Sequence, residues 1–117
     1  LIAGGVGITP IRALLEELSG DIVLVYRVVN ESELVFRDEL EALAKVGGFA
    51  LHYVTGDHRD PATKHFMSPE HLKTLLPDLA SREVYVCGPP AMSNAVQANV
   101  RRAGVPQKQI HTEAFAF

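Results

Sequence analysis

Hydrophobic positions change period several times along the chain, and each change predicts an element. Residues 1–3 are apolar and run into Gly4, Gly5, Val6 and Gly7, the pattern of a buried strand ending in a turn. Ile11, Leu14, Leu15 and Leu18 then recur at i, i+3, i+4 and i+7, so one face of a helix is apolar. Thr9 is predicted as its N-cap, Pro10 as its first residue and Gly20 as its stop. Residues 22–28 are apolar except for Arg27, as in a strand covered on both faces. Helical spacing returns over 34–46, with Phe36, Leu40, Leu43 and Ala44 inward and Glu41 paired to Lys45 outside. Gly47 and Gly48 stop it.

Residues 49–55 predict a third strand, and the polar, irregular stretch 56–67 reads as a mobile loop. Ser68 and Pro69 open a short helix bearing Leu72, Leu75 and Leu76, which Pro77 closes. Residues 84–87 are a fourth strand, broken by Gly88, Pro89 and Pro90; Met92, Val96 and Val100 mark the core face of a last helix with Gly104 as C-cap. Residues 110–117 alternate as a final strand. About five strands alternating with helices predict an α/β fold, a doubly wound open parallel sheet with helices on both faces. No repeat or boundary divides residues 1–117. Ligands of such sheets bind beyond the carboxyl ends of the strands, where the strand order reverses. An order of 3-2-1-4-5 sets the turns 4–10 and 87–90 on either side of that point.

Composition narrows the classes. With 117 residues, 47% apolar and 21% charged, the chain is sized and balanced for one globular domain. Its net charge is −3, and no Lys/Arg cluster exceeds Arg101-Arg102, so the basic footprint of a nucleic-acid partner is missing. No apolar run reaches the roughly 18 residues of a membrane helix. A single cysteine, Cys87, cannot form an internal disulfide, which favours a reducing, cytoplasmic setting. The sequence opens at Leu1 inside a strand and without methionine, as expected of a segment of a longer polypeptide.

The glycine-rich turn has a chemical reading. Residues without Cβ let the backbone approach an anion, and the helix behind aims N–H groups and a positive dipole end at it. A tight strand-to-helix turn needs the same glycines, and the sequence leaves both readings open. The dinucleotide fingerprint G-x-G-x-x-G is broken at Pro10, and no acid ends the second strand, where Arg27, Val28, Val29 and Asn30 stand. Arg27 is a candidate partner for a coenzyme 2′-phosphate. Thr55 and Gly56 are candidates for the adenosine half, although a plain turn explains them equally. The five histidines lack metal-ligand spacing, so no metal site is expected.

Four motifs stand in order: GGVGITP at 4–10, VYR at 25–27 with ELVFRDEL at 33–40, VYVCGPPAM at 84–92, and EAFAF at 113–117. Together they resemble the pyridine-nucleotide domain of the ferredoxin–NADP reductase superfamily, most of all its cytochrome-reductase and ferric-reductase-like branches. The resemblance covers nearly the whole chain. It implies that NADPH or NADH binds with its diphosphate on Gly4, Gly5, Val6, Gly7, Ile8, Thr9 and Pro10. The nicotinamide is then expected near Cys87, Gly88, Pro89, Pro90 and Met92. Cys87 would position the ring or simply pack in the core. Glu113 would relay a proton or stabilise charge, or stand as an exposed acid on an edge strand. Phe115 or Phe117 would pack at the flavin, gate the nicotinamide position or anchor the terminus to the core. FAD or FMN is expected in an upstream flavin-binding domain outside this chain. Hydride would pass from the nicotinamide to that flavin, and single electrons to an iron, haem or iron–sulfur acceptor. The parent is expected in the cytoplasm or on the cytoplasmic side of a membrane. The alternative is a non-catalytic nucleotide-binding or protein-docking module of the same fold.

Overall fold

Strand parity sorts the core into two layers, one on each side of a single sheet. The computed structural model describes residues 1–18, 20–57 and 59–114, of which Val6, Glu113 and Ala114 are described by backbone only. Its elements are β1 (Ile2–Gly4), α1 (Ile8–Glu17), β2 (Val23–Val28), α2 (Arg37–Gly47), β3 (Ala50–Thr55), α3 (Pro69–Leu75), β4 (Val84–Gly88), α4 (Pro90–Arg102) and β5 (Ile110–Ala114). The five strands are all parallel, in the order β3-β2-β1-β4-β5, as the sequence predicts. Ile2, Val25, Val54 and Val86 face one layer with Leu72, Val96 and Val100 from α3 and α4. Ala3, Leu24, Tyr26 and Cys87 face the other with Ile8, Ile11 and Leu40 from α1 and α2. Ile8, Ile11, Leu24 and Leu40 are fully buried, each stabilising the fold by about 1.5–3 kcal/mol. Among the described residues no helix is long and apolar enough to cross a membrane.

Several element ends differ from the sequence reading. α1 begins at Ile8 with Gly7 as N-cap, not at Pro10 after Thr9, because a 3-10 turn over Gly5–Gly7 already winds the chain. It ends at Glu17, so Leu18 leaves the apolar face and is exposed, two residues before Gly20. α2 starts three residues later than expected. Phe36 is its N-cap at φ +60°, exposed rather than inward, with the Arg12 guanidinium 5.5 Å from its ring centre. Two bonds favour that late start: the Tyr26 hydroxyl accepts the Val35 N–H, and Arg37, the first helical residue, binds Glu41. The carboxylate of Glu41 therefore pairs with Arg37 and not with Lys45, the partner that the spacing predicts. The last helix has Ala103 as C-cap, and Gly104 follows it at φ +108°. The short helix is as predicted: Ser68 Oγ accepts the His71 N–H, and Pro69 takes the first position.

Candidate functional site

The carboxyl ends of β1 and β4 lie side by side in the middle of the sheet, with Ala3 level with Cys87. The turns that follow pack directly on each other, and three glycines make this possible. A Cβ on Gly7 would fall 2.2 Å from the Cys87 carbonyl oxygen and 2.7 Å from the Gly88 nitrogen, both backbone atoms. One on Gly4 would fall 2.7 Å from both Sδ and Cε of Met92. One on Gly88 would meet Met92 Sδ at 2.7 Å and the Gly4 oxygen at 3.3 Å. Met92, the third residue of α4, therefore fills the slot that two absent side chains leave. Close packing dictates these three glycines, with no ligand needed to explain them.

Gly5 is different. Its backbone is left-handed at φ +54°, and a Cβ there would meet nothing within 4 Å. The turn therefore presents bare backbone to open space at the foot of α1. That helix has no side-chain cap and no acidic residue in its first turn. Its positive end is left uncompensated by the protein, and an anion suits the place. Of the predicted turn residues, Thr9 is exposed and Pro10 half-buried, whereas the Ile8 side chain is in the core. Ile8 is available to a ligand through its backbone alone.

Cys87 is 3% exposed, and its side chain packs in the layer that holds α1. It reaches the rim through its backbone, whose carbonyl faces Gly7. Gly88 is buried, while Pro89 and Pro90 are exposed at the start of α4. On β5, the Glu113 backbone is level with Cys87 and Ala114 is level with Gly88. The side chain of Glu113, and the whole of Phe115 and Phe117, lie outside the described residues.

On the other flank Arg27 is level with both Gly4 and Val54. Its guanidinium donates to the carbonyls of Val28, Val54 (3.2 Å) and Gly56 (2.5 Å). Burial pulls its pKa down, opposed by the nearby carboxylates of Asp57 and Glu33. Gly56 stands at φ +147° with the Thr63 methyl 2.7 Å from where its Cβ would be, and Thr63 Oγ1 donates to the Asp57 carbonyl at 2.5 Å. The Asp57 carboxylate accepts from the Arg59 guanidinium at 2.7 Å. Thr55 and Gly56 thus sit at the mouth of a tied loop. Thr63 has no signal in the sequence, since it acts only once the loop closes on Gly56.

Further along, the His71 Nδ1 accepts the Met67 N–H at 2.8 Å, and the ring stacks on Phe66 at 4.9 Å. Burial lowers the His71 pKa, helped by the nearby His65 and Arg27. Among the described residues no group of three or more His, Cys, Asp or Glu is placed to hold a metal ion. A cavity of about 510 Å³ lies at the opposite, amino ends of the strands, beside Ile22, Val84 and Arg82. Another, of about 370 Å³, lies along β3 beside His52, Phe66 and His71. Neither is lined by residues of the turns 4–7 or 87–90.

A parallel sheet whose order reverses between β1 and β4, with an uncapped helix behind a glycine turn at that reversal, defines a class: a doubly wound α/β nucleotide-binding domain. Residues 1–98 match the family model of the oxidoreductase NAD-binding domain, and the chain belongs to that family. It is 35% identical over 118 residues to NADH-cytochrome b5 reductase 1 of Laccaria bicolor, covering 91% of this chain and 38% of that protein. Among solved structures it resembles the cytochrome b5 reductase domain of Ulva prolifera nitrate reductase, with 27% identity and a TM-score of 0.74. That likeness covers 96% of this chain and 48% of the other. It shares its fold with the flavohem-like FAD/NAD-binding domain of nitric oxide dioxygenase from Vibrio cholerae, at TM-score 0.78 and 23% identity, over 97% and 49% of the two chains. The chain spans less than half the length of each.

Proposed function

We propose that this chain binds the nicotinamide coenzyme of a flavin-dependent reductase, with NAD(P)H laid across the carboxyl rim of the sheet. The observation that carries this reading is the open, left-handed Gly5 in front of the uncapped, acid-free end of α1, at the point where the strand order reverses. In the proposed complex the diphosphate lies on the backbone of residues 4–7 and the first turn of α1. Gly88, Pro89 and Pro90 flank the nicotinamide, and Cys87 sets the height of that turn through its backbone. Glu113, level with Cys87 in the register, is the candidate for a proton or charge role. When bound, the coenzyme supplies a hydride for a flavin, FAD or FMN, carried by another part of the parent protein. This chain's part is to bind, orient and shield. The likeness to NADH-cytochrome b5 reductase 1 favours a haem protein as the next acceptor.

The test is a titration of the isotope-labelled chain with NAD⁺, followed by amide spectra. Saturable shifts at the amides of residues 4–9, 87 and 88 are expected. Shifts confined to the amino ends of the strands would sink the reading. In the complete flavoprotein, NADH or NADPH is expected to bleach the flavin absorbance.

A further inference from the structure

We propose that Arg27 is a positioning residue for the coenzyme, acting through the loop after β3, and not a ligand for a coenzyme phosphate. The inference rests on the coenzyme lying across the carboxyl rim. Arg27 is level with Gly4 on one side and Val54 on the other, so its stem lies beside the proposed diphosphate turn. Its head turns away from β1 and onto β3. There the guanidinium binds the carbonyls of Val28, Val54 and Gly56, at the ends of the two strands. These part-buried carbonyls gain a charged partner, and a planar fork spans two strand ends where an ammonium does not. Moving the head to a 2′-phosphate would take its bonds from the Val54 and Gly56 carbonyls together, and leave the Val28 carbonyl with the Gly56 N–H alone.

What the head holds is the mouth between β2 and β3. Gly56 is pinned by Arg27 from below and by the Thr63 methyl against its Cα, while Thr63 Oγ1 ties the Asp57 carbonyl. A dinucleotide that continues past the β1 turn toward β2 meets this loop with its adenosine half. The other arginines at this end are also engaged: Arg37 binds Glu31 at 2.7 Å and Glu41 at 3.3 Å, and Arg59 binds Asp57. Loop position, and not phosphate charge, is therefore what Arg27 contributes.

The test compares Kd for NAD⁺ and NADP⁺, by calorimetry, in the wild-type chain, Arg27→Gln and Arg27→Lys. Both dissociation constants are expected to rise together by about 5- to 20-fold in Arg27→Gln, with their ratio unchanged within about twofold. Arg27→Lys, which keeps the charge and loses the fork, is expected to resemble Arg27→Gln. A loss confined to NADP⁺, or recovery of NADP⁺ binding by lysine alone, overturns the proposal in favour of a phosphate ligand. Unchanged affinity for both coenzymes in folded variants overturns it in favour of a bond that serves the fold only. A wild-type measurement covers the case of variants that do not fold. Adding 2′,5′-ADP is expected to shift the Gly56 amide and leave the Arg27 Nε resonance in place, and the reverse pattern overturns the proposal. If the wild-type chain binds neither coenzyme, the rim reading itself fails, a result distinct from any in which wild type binds and a variant discriminates.

Discussion

The two halves of the carboxyl rim are held by opposite means. Between β1 and β4 the turns meet because side chains are missing: Gly7 against the Cys87 carbonyl, Gly4 and Gly88 under Met92. Between β2 and β3 they meet because a charge is added, the Arg27 fork on three carbonyls. Packing of backbone on backbone has no slack, since neither partner can rotate away. Hydrogen bonds to carbonyls near solvent have an alternative partner in water, so their net worth is smaller. The central half should therefore fail abruptly on substitution, and the outer half gradually.

Gly7→Ala tests the rigid half most severely. Its Cβ would meet only backbone, so a loss above about 3 kcal/mol is expected from urea unfolding, or no folded chain at all. Gly88→Ala meets the flexible end of Met92 first, and about 1–3 kcal/mol is expected. Adding Met92→Ala to it should recover at least half of that loss. If the pair is no more stable than Gly88→Ala alone, Met92 is not what the glycine makes room for. In the outer half, Arg27→Gln is expected to cost about 1–2 kcal/mol, because its carbonyls regain water.

The smallest effect is a pH dependence at His71. Its folded pKa lies below the ordinary 6.5, so the unfolded chain takes up a proton first as pH falls. Its contribution is complete above that ordinary value and is lost as pH drops toward the folded pKa. Protonation also removes the Nδ1 acceptor for the Met67 N–H, beside His65 and Arg27. Thermal melting of the wild type should fall between pH 7 and pH 5, and His71→Asn should fall less over the same interval.

The sheet was legible in the sequence because its strands are short apolar runs with a turn residue close to one end, Gly20 before residues 22–28 and Pro89 after residues 84–88. The helix starts were less so. Thr9 and Phe36 sit where local propensity favours a cap or an inward face, but contacts distant in sequence decided otherwise: Gly7 on Cys87, and Tyr26 on Val35. At the site, the two specialised turns could be read, and so could their proximity once the strand order was assumed. Which glycines serve packing and which faces open space could not, because that depends on contacts between the two turns, Gly7 on the Cys87 carbonyl and Gly4 on Met92. Arg27 could be singled out as a cation at a strand end. Its use could not be read, because its acceptors Val54 and Gly56 are nearly thirty positions further along and are backbone atoms that any residue supplies.

Handedness at Gly5 gives the chemist a handle. A backbone at φ +54° is one that a mirror-image residue adopts without the strain an ordinary one meets. D-alanine placed there by chemical synthesis would keep the turn's conformation while replacing one Cα hydrogen by a methyl. Conformation and occupancy, which an ordinary substitution changes together, would thereby be separated in one atom.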